Sequence, residues 1–452
     1  MKKITKKPAL ILYALSGMGV NMLNLMMGSY LCSAIIAGGF SEEAAKFQTF
    51  CQKDIVIVSL WSIFGVIAKI LDGVIDIPMA AFADNLRTKF GRRRPALLIG
   101  LIPMILAYLL FLVVPNPNEA TFLNTVYLGI VLCVFYSFYT LTMVTYYATY
   151  TEIVDNTDDR NFMSNAKSVF DIVYFILGYV AVRMMLNSVP IAKVALICLP
   201  IVCTMLIPMF MIKEPDNRND EKSKEKRLSV WNSLRCTMRN KTFVLWMITY
   251  AFMTFGVQLF LSGINEYFAA NGMSMILVML GSFIPVPLTL ILYNKIFRTK
   301  GFGFAFRYVL LTYSSGMLAL FAVSFVPGGT LRTVLSILSG VLCSFAIGAL
   351  FSVAYSIPSQ LASDEEKESG EANSAMYFAV QGLFSGVATA VGSYVVLNAF
   401  KSITGKVEDP FTVNPMYFLT AVCALGTLIA FATTFFLPKS LIGLGKHEKK
   451  EH

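Results

Sequence analysis

Residues 61–85 read WSIFGVIAKILDGVIDIPMAAFADN, from Trp61 to Asn85. Most of this stretch is apolar enough to cross a hydrocarbon core of about 30 Å, which takes roughly 20 residues of helix. Three charged side chains nevertheless sit well inside it, Lys69, Asp72 and Asp76. A carboxylate at a bilayer centre costs about 2.5 to 3.5 kcal/mol on insertion scales, so each one that persists needs a partner or a task. Spacings of three and four place all three on one helical face. Lys69 can pair with either aspartate, and Asp72 and Asp76 can share a cation or a proton. The plainer alternative is a structural ion cluster in which Lys69 neutralises one Asp and a polar residue of another helix satisfies the second. Two acids against one base leave one net negative charge, which suits a single coupling ion, Na+ or H+.

Outward from that stretch the rest of the chain reads the same way. Of 452 residues, 56% are hydrophobic and 14% charged, against about 25% charged in soluble proteins, and the mean hydropathy is +0.66. That excludes a soluble enzyme, a disordered chain and a disulfide-stapled secreted domain, which need a polar surface, a polar chain or paired cysteines. The eight cysteines include no CxxC pair, and those in apolar segments act as small hydrophobes. The only histidines are His447 and His452. Intramembrane histidine metal sites, Ser/His triads and histidine proton relays are therefore excluded, and no cofactor is expected. The net charge of +10 has no soluble basic domain to carry it, so nucleic acid is not an expected partner; membrane topology explains it better.

Apolar windows of spanning length recur about twelve times. Their approximate limits are 9–37, 55–83, 95–114, 122–150, 164–186, 190–212, 242–269, 274–293, 304–326, 332–360, 373–398 and 414–437. The first lacks a short apolar core with a small-residue cleavage site and reads as a retained helix. Even-numbered connections and both tails carry about 28 Lys and Arg, odd-numbered connections about 6, so both termini are expected in the cytoplasm. The longest polar run, residues 214–241, falls between the sixth and seventh windows. The expected fold is an all-α, multi-pass protein of the cell membrane with twelve transmembrane helices. Two six-helix bundles, 1–212 and 242–438, flank a cytoplasmic linker at 213–241 and are followed by a cytoplasmic tail at 439–452.

Other polar side chains in the spans are few. Lys167 and Asp171 in span five are spaced i,i+4 and either neutralise each other or leave Lys167 to a solute. Arg183, towards the outer end, is expected to snorkel to headgroups, and Glu266 is expected at the outer interface of span seven. Asn21, Asn24, Gln258, Asn265 and Gln381 can hydrogen-bond a hydroxylated solute or, more commonly, another helix. Span four carries Tyr136, Thr140, Met143, Tyr147 and Tyr150 at helical spacing. Tyrosine offers a flat face and a hydroxyl that suit a sugar ring, although such a stripe is more often packing. Gly281, Pro285 and Pro287 in span eight and Pro358 in span ten loosen helices where a carrier must bend.

Beyond span two comes ADNLRTKFGRRRPALLIG, with Asp84, Gly91, Arg92, Arg93 and Arg94 before Pro95. It resembles the loop between helices two and three of the major facilitator superfamily. Together with Lys69-x-x-Asp72-x-x-x-Asp76-x-Pro78 it resembles the glycoside-pentoside-hexuronide:cation symporters of that superfamily. Three further segments are similar to that family in order: YTEIVDNTDDRNFMSNAKSVF with Arg160 and Lys167, MRNKTF at 238–243, and SQLASDEEKESGEANSAMYFAVQGLF with Asp364, Gly370 and Gln381.

The resemblance implies the major facilitator fold, alternating access, and uptake of a sugar or glycoside with Na+ or H+. It implies Asp72 and Asp76 as coupling carboxylates, with Thr140 beside them. By the same resemblance Asn21, Lys167 and Gln381 face the sugar, and Lys69, Asp171, Tyr147 and Gln258, read from their own positions in the spans, complete the expected substrate-binding set. Asp84, Gly91, Arg92, Arg93, Arg94, Arg160 and Asp364 form the cytoplasmic gating loops. Departures fall in the solute set and the ion site: Ile75 stands where the family has an asparagine, and Met143, Gly386 and Asn21 replace charged residues. These keep two other readings open, the same fold carrying a lysolipid or other organic solute, and a non-transporting receptor or scaffold.

Overall fold

A computed structural model of the chain describes residues 6–153, 157–212, 214, 216, 237–369, 374–404 and 413–443. They form helices and loops, with one isolated bridge between Val56 and Thr121. Ten helices among them, from Lys7–Ala34 to Pro415–Phe436, are long and apolar enough to cross a membrane. The second and fifth expected spans are the two that miss this measure. They are helical all the same, as Val58–Val74 with Asp76–Asn85, and as Thr157–Ile176 continuing through Leu177–Ala181 to Val182–Met185. Residues 58–85 rise about 40 Å as helix, ample for a bilayer. The second span is interrupted at Ile75, which leaves Val58–Val74 at 17 residues; its charged residues are Lys69, Asp72 and Asp76, and the fifth carries Asp158, Asp159, Arg160, Lys167 and Asp171.

The chain divides into two compact units, Met1–Arg227 and Leu228–His452. In the first, the helix Lys7–Leu25 packs against the fifth and sixth spans. Gly19 permits this close approach, since a Cβ there would strike the carbonyl oxygen of Ile201, and its N–H donates to Thr204 Oγ1 at 3.2 Å. Tyr13 and Tyr146 join the first and fourth spans reciprocally. Their rings stack at 5.1 Å, Tyr13 Oη donates to the Tyr146 carbonyl and Tyr146 Oη to the Tyr13 carbonyl, each at 3.0 Å. Buried hydroxyls thus find partners without water, as a bilayer requires.

Two π-helical segments of this unit, Met26–Leu31 and Leu177–Ala181, meet each other. Tyr30 Oη donates to the Gly178 carbonyl at 2.7 Å, and the hydroxyls of Ser29 and Tyr179 lie 3.2 Å apart. A widened turn loosens the backbone ladder and leaves a carbonyl open to a side-chain donor. At one end of the unit Asn124, fully buried, donates Nδ2 to the carbonyls of Ile55 and Asn116 and accepts the Asn116 N–H on Oδ1, tying two loops to the start of the fourth span.

In the second unit the helix Lys241–Asn271 begins where the Asn240 side chain accepts the N–H of Phe243 at 3.1 Å, so the MRNKTF segment is an N-cap. It ends at Gly272 in the left-handed region. The eighth span is two helices, Met275–Phe283 and Val286–Lys300, with a turn at Ile284 and Pro285. Proline removes an N–H and disfavours helix in the residue before it, which accounts for the bend expected there. Pro358 lies inside the uninterrupted helix Thr330–Ser369.

Glu266, expected at the outer interface of span seven, is fully buried in the protein and pairs with Lys401, which lies beyond the expected end of span eleven, at 2.9 Å. Charge inside the protein is tolerated because it is neutralised on the spot. Arg183, expected to reach headgroups, is half-buried, with Nη1 shielded inside the protein.

Candidate functional site

The second span supplies the charges. Its helix is interrupted for one residue at Ile75, so Asp72 lies in the last turn of Val58–Val74 and Asp76 opens Asp76–Asn85. Asp76 therefore sits at a helix N-terminus, where unpaired N–H groups and the helix dipole favour negative charge. Lys69 Nζ lies 3.3 Å from Asp72 Oδ2 and 3.6 Å from the centroid of the Tyr136 ring. Thr140 Oγ1 donates to Asp72 Oδ1 at 2.8 Å. Both Asp72 oxygens are therefore engaged, one by the ammonium and one by the hydroxyl. Half-buried Asp76 has no hydrogen-bond or ion-pair partner among the described residues. The lysine selects Asp72 because three residues of helix bring it there, whereas Asp76 lies seven residues on, past the turn at Ile75.

A second cluster lies in the same unit. Lys167 Nζ donates to Asp171 Oδ2 at 2.6 Å and stands 5.5 Å from the centre of the Tyr147 ring. Tyr174 is within electrostatic reach of Asp171, Tyr139 and Tyr147. Tyr139 Oη donates to Asn21 Oδ1 at 3.3 Å. Asn21, Tyr139, Tyr147, Lys167, Asp171 and Tyr174 thus form one polar and aromatic group drawn from the first, fourth and fifth spans. The residue-by-residue reading missed Tyr139 and Tyr174. The i,i+3 spacing of Tyr174 from Asp171 was the available signal for one, and for the other the position of Tyr139 one residue before Thr140. Within the stripe on span four, Tyr136 and Met143 are buried, while the side chain of Tyr150 lies outside the described residues.

In the second unit Gln381 Oε1 accepts from Trp246 Nε1 at 3.3 Å, holding span eleven to span seven. Gln258 is half-buried with no hydrogen bond to a described residue. Of the gating residues, the side chains of Asp84, Arg160 and Asp364 lie outside the described residues. Gly91 takes a positive φ of 82° against the side chain of Glu214. The N–H of Arg93 donates to Glu214 Oε2 at 2.8 Å, and Arg94 Nε donates to the Met209 carbonyl at 2.6 Å. The arginine loop is therefore fastened to the end of span six, and Glu214 caps the helix Arg93–Phe111. Arg92 is the half-buried N-cap residue of that helix.

Residues 12–440 match the model of a family described as MFS/sugar transport protein. The chain belongs to the MFS/sugar transport protein family. Its fold agrees with solved members of the major facilitator superfamily. The nucleoside transporter NupG, as a point mutant, superposes with a TM-score of 0.60 at 14% identity over 96% of this chain and 100% of that one. A bacterial homologue of the human lysosomal transporter Spinster, inward-facing and unoccupied, gives 0.55 at 14% identity over 96% and 95%. A bacterial homologue of the iron transporter ferroportin, outward-facing, gives 0.55 at 12% identity over 96% and 99%. No curated protein matches the sequence. At such identities the likeness is one of fold. This MFS/sugar transport protein is a multi-pass membrane transporter of small molecules.

Proposed function

We propose that this transporter is a cation-coupled symporter of a sugar or glycoside, working by alternating access in the plasma membrane with both termini in the cytoplasm. The observation that carries the reading is the unequal pair on span two. Asp72 is neutralised by Lys69 and Thr140, whereas Asp76, one helical turn on, has no such partner among the described residues. A half-buried carboxylate without a counter-charge is costly in a spanning segment. A coupling cation at Asp76 would remove that cost in one conformation and restore it in another, which is what coupling requires. The solute reading rests on the cluster of Asn21, Tyr139, Tyr147, Lys167, Asp171 and Tyr174. Hydroxyls, an amide and an ion pair beside aromatic faces match the alternating polar edges and apolar faces of a sugar ring. Gln258 and Gln381, on the seventh and eleventh spans, are proposed as solute ligands in their own right. Linkage then requires solute and cation to tighten each other's binding by one common factor.

The test is transport in proteoliposomes, after thermal shifts of purified protein against sugars, glycosides and lysolipids name the solute. Asp76→Asn is expected to abolish gradient-driven accumulation while leaving solute counterflow. Accumulation that survives in both Asp72→Asn and Asp76→Asn overturns the coupling assignment. Stabilisation by lysolipids and not by sugars moves the solute to the other class. No flux of any stabilising ligand would make the chain a receptor.

A further inference from the structure

The surroundings of Asp72 do not fit a free sodium ion. Such an ion is held by a cage of oxygens, and each Asp72 oxygen already has a partner: Oδ2 faces the Lys69 ammonium at 3.3 Å and Oδ1 accepts the Thr140 hydroxyl at 2.8 Å. Ile75, the residue before Asp76, has a hydrocarbon side chain that offers no ligand oxygen. Among the described residues no group of three or more His, Cys, Asp or Glu side chains is placed to hold a metal. The place of the ion is taken instead. Lys69 Nζ stands over the face of Tyr136, a ring 1% exposed, at 3.6 Å from its centroid, a geometry in which the ring adds its own attraction for a cation. Lysine and aspartate are parts of one helix, so their pairing forfeits no translational freedom, whereas an ion from solution does.

We infer that the Lys69 ammonium is the built-in counter-cation of Asp72, takes the position a dissociable sodium ion would hold, and so sets the ion specificity of the transporter by closing Asp72 to Na+. This rests on the cation-coupled reading of span two. It makes Lys69 a specificity-determining residue and not a solute ligand. It leaves Asp76 as the carboxylate open to the coupling ion. The long arm of Lys69 reaches across the Tyr136 face, so a side chain of similar length without the charge should leave Asp72 as an acid with one hydroxyl partner and room for a small cation.

The experiment is sodium binding to purified full-length protein, read by thermal unfolding in NaCl against choline chloride at equal ionic strength and by uptake of a sodium isotope onto the protein. Wild type is expected to show no sodium-dependent rise in Tm and no retained isotope that Asp72→Asn removes; sodium that is instead lost in Asp76→Asn and kept in Asp72→Asn supports the inference. Lys69→Gln is expected to gain a sodium-dependent rise in Tm of about 3 °C or more, absent from Lys69→Gln/Asp72→Asn and absent from Lys69→Arg. Should Lys69→Gln not fold, Lys69→Met serves the same comparison. Sodium binding by wild type that disappears in Asp72→Asn overturns the inference, as does a folded Lys69→Gln and Lys69→Met that gain none. Neither result touches the symport reading, which fails separately if no ion gradient drives accumulation of the solute.

Discussion

The ammonium of Lys401 donates to Glu266 Oε1 at 2.9 Å, with the two side chains 1% and 0% exposed. They lie 135 residues apart in sequence and join the helix Lys241–Asn271 to the helix Leu397–Thr404. Close by, the hydroxyls of Ser262 and Ser393 meet at 2.7 Å, fastening the same helix to the π-helical turn Val391–Val396.

Breaking that pair from one side should be far worse than removing it. Glu266→Gln or Lys401→Met leaves an unneutralised charge in the interior, at a cost of about 3 to 5 kcal/mol, whereas replacing both partners is often close to neutral. The expected order of Tm is wild type, then the double variant Glu266→Gln/Lys401→Met, then either single variant, measured by thermal unfolding in detergent. Single variants as stable as wild type would show that the pair contributes nothing.

How much of this was legible beforehand follows from the range of each interaction. Pairs set by one helix could be read from spacing: Lys69 with Asp72 at i,i+3 and Lys167 with Asp171 at i,i+4. The fold class was legible because spanning a bilayer imposes a length and a composition that survive in any window of about 20 residues. The same measure passes over the second span because its helix is interrupted at Ile75, leaving 17 residues in Val58–Val74. Glu266 with Lys401 was illegible for the opposite reason. Each alone looks like an end-of-helix charge, and only the packing of two distant segments shows that they meet.

The π-helical segments were equally out of reach. Met26–Leu31, Leu177–Ala181 and Val391–Val396 read as ordinary apolar helix, and the partners they meet on other helices, such as the Gly178 carbonyl for the Tyr30 hydroxyl, lie far away in sequence. The unequal standing of the two aspartates was half legible. Two acids and one base predict that one acid is left over, but the hydroxyl that engages the second Asp72 oxygen comes from Thr140, 68 residues away.

The arginine loop yields a sharper mutational test than its sequence suggested. Gly91 has a φ of 82°, and a Cβ there would overlap the side chain of Glu214, which accepts the Arg93 N–H. Gly91→Ala should cost about 1 to 2 kcal/mol from the left-handed backbone alone, and more from displacing Glu214 from its capping position. Glu214→Gly removes the obstacle, whose nearest atom is the Glu214 Cβ, along with the cap. The double variant Gly91→Ala/Glu214→Gly should therefore lose less stability than the two single losses added together. A double-mutant cycle on Tm, with strict additivity as the adverse result, decides whether the loop is held by that carboxylate.

Lys167 and Asp171 pose the remaining choice between an internal strut and a solute contact. The pair is short at 2.6 Å, yet its side chains remain 17% and 14% exposed, and the ammonium also stands 5.5 Å from the Tyr147 ring. A strut needs only the charges matched, so the neutral double variant Lys167→Met/Asp171→Leu should fold with a Tm near that of wild type. A solute contact needs the donor and acceptor themselves. The expected outcome is that the folded double variant binds solute at least about tenfold more weakly, equivalent to about 1.4 kcal/mol. Tyr147→Phe, which keeps the ring, should lose less affinity than Tyr147→Leu, which loses the aromatic face that a sugar ring would stack upon. Equilibrium solute binding to the three purified variants measures both effects. Unchanged affinity in all three would return Lys167, Asp171 and Tyr147 to packing and neutralisation, and would leave the solute to Asn21 and the glutamines.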